Sequence, residues 1–100
     1  TEFDKKIWLA LKKISRGQVT TYKEIAKLVG RPAAARAVGN ACHRNSDAPS
    51  VPCHRVIKSD GRLGGYARGI RKKIELLKRE GVGVKTGRVE DFKEKIYRFK

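Results

Sequence analysis

"TYKEIAKLVGRPAAARAVGNACHRN", residues 21–45, carries the decision about the fold. Glu24 follows Thr21 at the spacing of a capping box: the hydroxyl accepts from an amide at the helix start and the acid reaches back to its own. A helix is predicted over Tyr22–Val29, with Gly30 suited to its C-terminal cap. Pro32 suits the first turn of a following helix over 32–45. Helix, short glycine-containing turn and helix make the helix-turn-helix outline, which ordinary αα-hairpins share.

The second of these helices has unusual contents. Ala33, Ala34, Ala35, Ala37, Gly39 and Ala41 are small, and Arg36 is the one long side chain among them. Such a helix either packs tightly against a neighbour or must lie close to something else, with Arg36 projecting. A DNA minor groove is only about 6 Å wide, so a helix entering it needs small side chains.

Upstream, Phe3, Ile7, Leu11 and Ile14 recur at helical spacing with Lys5, Lys6, Lys12 and Lys13 off the stripe, predicting an amphipathic helix closed near Gly17. Downstream, "VPCHRVIKSDGRLGGY" (51–66) reads as a short extended segment, a turn at Ser59–Gly61 and a glycine-rich loop. Ile70, Ile74 and Leu77 mark a further helix stopped by Gly81. Val89, Phe92, Ile96 and Phe99 mark a last, basic helix. The sequence shows no internal repeat and no interdomain linker.

Charge limits the function. Twenty-five Lys and Arg stand against ten Asp and Glu, a net charge of +15. That balance implies a polyanionic partner, nucleic acid above all. The competing account is a lysine-rich surface of the hyperthermophile type, but such surfaces are usually rich in Glu as well. No apolar run approaches the ~20 residues of a membrane span, and no signal-peptide pattern is present. The chain starts without Met, so a trimmed or processed protein is expected. Two cysteines make no disulfide framework; free thiols in an intracellular, reducing compartment are expected.

Cys53 has three possible fates. Cys42-His43 and Cys53-His54 supply four potential metal ligands, but zinc ligands normally lie two to five residues apart within a pair, and adjacent residues rarely reach one ion. No metal is expected. Burial as an inert core thiol suits Cys42. Cys53 sits beside His54 and Arg55, the electropositive setting that a reactive thiol requires. Its unperturbed pKa leaves it only a few per cent thiolate at neutral pH, so a base must help; His54 adjoins it, and Glu80 is a candidate to orient His54.

"PCHRVI" resembles the active-site motif of the O6-alkylguanine-DNA alkyltransferases. "GQVTTYKEIA", "AARAVGNA", Asn45, "GGY" (64–66) and "LLKREG" fall in that family's order and spacing, over about residues 3–82. The resemblance implies a mainly α domain with small α/β content, helix-turn-helix and winged-helix-like, carrying the reactive-cysteine loop. Residues 1–82 would form the DNA-binding, active-site domain and 83–100 a basic, helical extension. The implied partner is double-stranded DNA containing O6-alkylguanine, met by a monomer with no cofactor and no membrane association.

The resemblance also implies roles. Cys53 is the alkyl acceptor, His54 a base acting through water, and Glu80 the acid that orients it. Arg36 fills the stack left by the flipped base. Tyr22 contacts the DNA backbone and helps neutralise the leaving guanine; its alternative is a core aromatic at a helix start. Asn45 braces the turn before the reactive loop, and Arg55 has a structural or electrostatic part. Ala33, Ala34, Ala35, Ala37 and Asn40 belong to the DNA-facing helix. Val56, Tyr66, Ala67, Arg68 and Lys73 belong to or adjoin the lesion pocket.

Three departures stand out. Ala67 replaces a frequent serine that bonds the lesion oxygen, Arg68 replaces a small residue at the pocket mouth, and the family's usual N-terminal domain is missing. In the related alkyltransferase-like proteins, which bind lesions without reacting, tryptophan stands in place of the cysteine, so Cys53 argues for the reactive branch. A lesion-flagging binder remains the alternative. A multiple-turnover thiol hydrolase is a third reading, opposed by the charge.

Overall fold

The computed structural model describes residues 1–99. Helix α1 spans Glu2–Leu11, capped by the Thr1 hydroxyl, which accepts from the Asp4 amide at 3.1 Å. Ile7 and Leu11 are fully buried on its inner face. The helix ends at Leu11, and Ile14 enters the core from the turn that follows. Strand β1, Thr20–Thr21, runs directly into α2, Tyr22–Leu28. Thr21 is the N-cap, its Oγ1 accepting from the Glu24 amide at 3.0 Å.

Helix α3 spans Ala35–His43. The expected start at Pro32 is corrected. The Ala34 amide donates to the Arg31 carbonyl at 2.9 Å, so residues 31–34 close a turn and Ala34 becomes the N-cap. Ala33 therefore precedes the helix, and Asn45 lies beyond its end. Ile25 and Ala26 of α2 pack with Val38 and Ala41 of α3 in the main core. Fully burying an isoleucine or valine side chain of this kind contributes about 1.5–3 kcal/mol. Asp4, itself buried, receives a two-pronged bond from Arg44 (Nε to Oδ2 2.8 Å, Nη2 to Oδ1 2.7 Å), tying α1 to the end of α3.

The segment expected to be extended before Val56 is instead a single 3-10 turn, Cys53–Arg55, leading into β2, Val56–Ile57. β2 pairs in parallel with β1 in the register Thr20 to Val56 and Thr21 to Ile57. This pairing sets the reactive turn beside the start of α2. Helix α4 spans Ile70–Arg79.

The expected C-terminal helix is also corrected. Strands β3 (Val84–Lys85) and β4 (Arg88–Val89) form an antiparallel hairpin. Its two linking residues, Thr86 and Gly87, have φ of 55° and 73°, the left-handed pair that a two-residue hairpin requires. Helix α5 is confined to Phe92–Lys95, and Ile96 returns to extended backbone beside Val19. Lys100 lies outside the described residues. No described helix is long and apolar enough to cross a membrane.

Candidate active site

The 3-10 turn buries both Cys53 and His54. Asn45 holds the approach to it. Its Nδ2 donates to the Val51 carbonyl at 2.8 Å, and its Oδ1 accepts from the Asp47 amide at 3.0 Å. The asparagine thus fastens the end of α3 to the residues just before Cys53.

Behind the turn lies a charged network. Glu80 caps the C-terminal end of α4, and its Oε2 stands 2.9 Å from His54 Nε2. Arg55 forks onto the same carboxylate, Nε to Oε1 at 2.9 Å and Nη2 to Oε2 at 2.8 Å, while its Nη1 donates to the Ile14 carbonyl at 2.7 Å. Burial alone would raise the Glu80 pKa, but bonds from Arg55 and His54 outweigh it and hold the acid below the usual range. Glu80 is therefore ionised, and an ionised carboxylate only accepts. His54 Nε2 must carry the proton, which leaves the lone pair on Nδ1. That atom is buried and has no hydrogen-bond partner in the protein. Burial lowers the His54 pKa, with Glu80 pulling the other way, so the ring is neutral and basic at physiological pH.

The Cys53 thiol is pushed up by burial, opposed by Asn45 and by the positive charge of Lys73. It rests as a thiol, not a thiolate. Lys73 is fully buried. Its ammonium donates to the carbonyls of Val56, Leu63 and Gly65 at 2.7, 2.5 and 3.1 Å. Desolvation brings its pKa down to about 8, which still leaves it mostly charged at neutral pH. It holds the 63–65 loop against β2 and supplies positive potential to the thiol.

In front of Cys53 is a cavity of about 10 Å³, room for one water at most. Its walls are Tyr22, Cys42, His43, Cys53, Gly65, Tyr66 and Ala67. Cys42 is thus buried, as expected, yet shares the reactive cavity. Burial raises its pKa to about 12, which keeps it protonated. Val56 is fully buried in the core, and its carbonyl accepts from Lys73. Arg68 is exposed, next to the cavity wall at Ala67.

Tyr22 sits between cavity and surface, and burial pushes its phenol well above the ordinary range. The approach of Gly64 depends on its being glycine: φ is 70°, and a Cβ there would lie 3.3 Å from the Tyr22 hydroxyl and ring. On the outer side, Tyr22 joins Arg36, Gly39 and Asn40 of the α3 region and Lys58 and Asp60 of the following loop around a cleft of about 610 Å³. Arg36 is exposed at its edge. Ala35 lines the cleft, while Ala33, Ala34 and Ala37 do not. No cluster of three potential metal ligands exists among the described residues.

Sequence reasoning missed the full parts of three residues. Arg55, Cys42 and His43 acquire their places only through tertiary packing; the one local signal was that His43 and Cys42 close the helix bearing Arg36.

The family model for the 6-O-methylguanine DNA methyltransferase DNA-binding domain matches residues 2–82. A methylated-DNA–protein-cysteine methyltransferase of Methanosarcina acetivorans is 57% identical over 81 residues, 81% of this chain and 52% of that protein. The chain spans about half the length of such curated relatives. The crystal structure of Mycobacterium tuberculosis OGT in complex with DNA superposes with a TM-score of 0.79 at 48% identity, over 81% of this chain and 49% of that one. S. pombe Atl1, solved with damaged DNA containing O6-carboxymethylguanine, superposes with a TM-score of 0.84 at 34% identity, over 98% of this chain and 96% of that one.

Proposed function

The chain belongs to the O6-methylguanine DNA methyltransferase family by its DNA-binding domain, and on that premise we propose that it repairs O6-alkylguanine in duplex DNA by irreversible alkyl transfer to Cys53. The observation that carries the reading is the ordered series Cys53, His54, Glu80, Arg55, in which an ionised acid fixes the histidine tautomer and leaves its other nitrogen free as a base.

The small-residue helix α3 and the basic cleft hold the duplex. The target nucleotide is flipped out, at a cost of a few kcal/mol that is smaller for a badly paired lesion. Arg36 occupies the vacated stack, where its planar cation can bond the orphaned base. His54 Nδ1, through a water, takes the Cys53 proton. The sulfur attacks the alkyl carbon, the carbon–oxygen bond breaks, and its electrons pass to the guanine. Tyr22, whose raised pKa keeps it protonated, donates a hydrogen bond or a proton as negative charge develops there. Repaired guanine and a thioether on Cys53 result. Ordinary thiol exchange does not reverse a thioether, so each molecule acts once and without a cofactor. The protein works as a monomer in the intracellular compartment that holds the DNA. Residues 1–82 form the reactive domain and 83–100 a basic extension.

A second reading has one observation behind it: the likeness to Atl1 runs over nearly the whole of both chains. In it the protein would bind alkylated DNA and flag it without reacting. Intact-protein mass spectrometry separates the two. After incubation with an oligonucleotide containing O6-methylguanine, the transferase gains one methyl group per molecule; an unchanged mass despite tight lesion binding favours the flagging role.

A further inference from the structure

We propose that the segment from Val84 to Arg98 closes a second basic groove against α2, beside the cleft, holding the sugar–phosphate backbone of the strand that flanks the lesion. This deepens the DNA-repair reading and rests on it.

The segment lies beyond the family match, which ends at residue 82, yet it is firmly built in. The Val19 amide donates to the Lys95 carbonyl at 3.0 Å, the Tyr97 amide donates back to Val19, and the Thr20 hydroxyl donates to the Tyr97 carbonyl at 2.9 Å. Ile96 therefore lies along β1 on the side opposite β2. The hairpin grips the loop on the far wall of the cleft: the Leu63 amide donates to Gly87 at 3.1 Å and the Val89 amide to Gly61 at 3.0 Å. The Phe92 ring packs under Gly61.

These bonds create a groove of about 180 Å³ with Lys23, Lys27 and Arg98 on its walls. Lys23 and Ser59 line both this groove and the larger cleft, so the two lie side by side. Arg88 donates to the Asp60 carbonyl at 2.9 Å, tying the hairpin to a residue on the wall of the larger cleft. The acids present are few. Glu24 pairs with Arg98 at 3.3 Å and with Lys27 at 3.5 Å, and Asp60 pairs with Arg62 at 3.5 Å. Cations outnumber them along the path, and the exposed lining of the groove is mainly polar, which suits a phosphate chain better than a protein partner. A polyanion running out of the cleft past Tyr22 meets this surface next.

The test measures affinity for an undamaged duplex of about two helical turns as a function of salt. Each phosphate that is no longer neutralised takes roughly 0.9 off the slope of log affinity against log salt. Lys27→Gln with Arg98→Gln should lower the slope by about 2. Arg98→Lys with Lys27 left in place keeps both charges, on two lysines, but not the guanidinium's local bond, and should restore it. Lys12→Gln with Lys78→Gln, which removes the same charge away from both grooves, should change the slope by less than half as much. An unaltered slope in the glutamine pair, an equal fall in the distant pair, or a reduced slope that persists in the lysine pair would each overturn the proposal. Failure of the unaltered protein to bind duplex at all would sink the DNA-repair reading and this one together, and would be seen before any substitution is made.

Discussion

The surface of α3 and the turn at Cys53–Arg55 lie close together and are built on opposite principles. The α3 face is open: Arg36 and Asn40 are exposed, and the cleft beside them is wide. Its work is spread over many weak, salt-screened interactions, so no single charge is decisive. At the reactive turn, Cys53 and His54 are almost wholly buried, and Glu80 is shared by two partners within 3 Å. There the low dielectric strengthens each bond and makes the removal of any partner expensive. On the proposed function, the same chain separates graded binding from all-or-none chemistry.

The sharpest way to break this contrast is Cys53→Ser. A hydroxyl is a far weaker nucleophile, so transfer should vanish while duplex affinity stays near its original value; Cys42→Ser should retain most transfer. Single-turnover assays and a binding titration on the same preparations check this, and loss of transfer only in the Cys42 variant would reverse the roles of the two thiols.

Next in size are His54→Ala and Glu80→Gln, each expected to slow transfer by roughly 100-fold or more, the usual reach of a general base. If the two act as one relay, the double variant should lose less than the sum of the single losses. Additive losses would mean that the network is not one unit.

How much of this could be read from the sequence divides along the same line. The Thr21 cap and the α2–α3 pair are local patterns that the structure keeps, although the Glu24 carboxylate turns to Lys27 and Arg98 and does not reach back to the Thr21 amide. Arg55 could not be assigned beyond a general structural or electrostatic part, because its two partners, Glu80 and the Ile14 carbonyl, lie 25 and 41 residues away. Cys42 looked inert because its helix is rich in alanine; only the packing of α3 against the turn puts it on the cavity wall. Val89, Phe92, Ile96 and Phe99 share a helical spacing by coincidence. The Thr86–Gly87 turn and the bond between Val19 and the returning chain convert that spacing into a hairpin, one short helix and an edge segment.

On the binding side, Arg36→Ala should reduce repair of duplex by about tenfold, roughly the 1.4 kcal/mol of one good interaction. Reaction with free O6-benzylguanine, which needs no flipping, should change little. Equal impairment on both substrates would remove the stacking role.

A smaller effect is expected at Arg68, exposed beside Ala67 at the cavity wall. Arg68→Gly should raise the rate on O6-benzylguanine by a few-fold, near 1 kcal/mol or less, and by a larger factor than the rate on O6-methylguanine DNA. An unchanged rate on the free benzylated base, with only DNA affinity reduced, would show that Arg68 serves phosphate and not the pocket.

The slightest change lies in the pH profile. Burial holds the His54 pKa below its ordinary 6.5, and the base works only when neutral. The transfer rate at pH 6.5 should therefore exceed half of its plateau and reach half only in more acid solution. A half-maximal rate at pH 6.5 or above would show a solvent-like histidine and contradict the buried relay.

The most direct test of the division between open binding face and buried chemistry is to locate the alkyl group after reaction. The protein is incubated with a slight excess of O6-methylguanine duplex, digested, and its two cysteine peptides are quantified by mass. The account predicts one methyl group on Cys53 and none on Cys42, with the Cys53 signal lost in His54→Ala over the same interval while duplex binding persists. A methyl group on Cys42, or full methylation of Cys53 without His54, would contradict it.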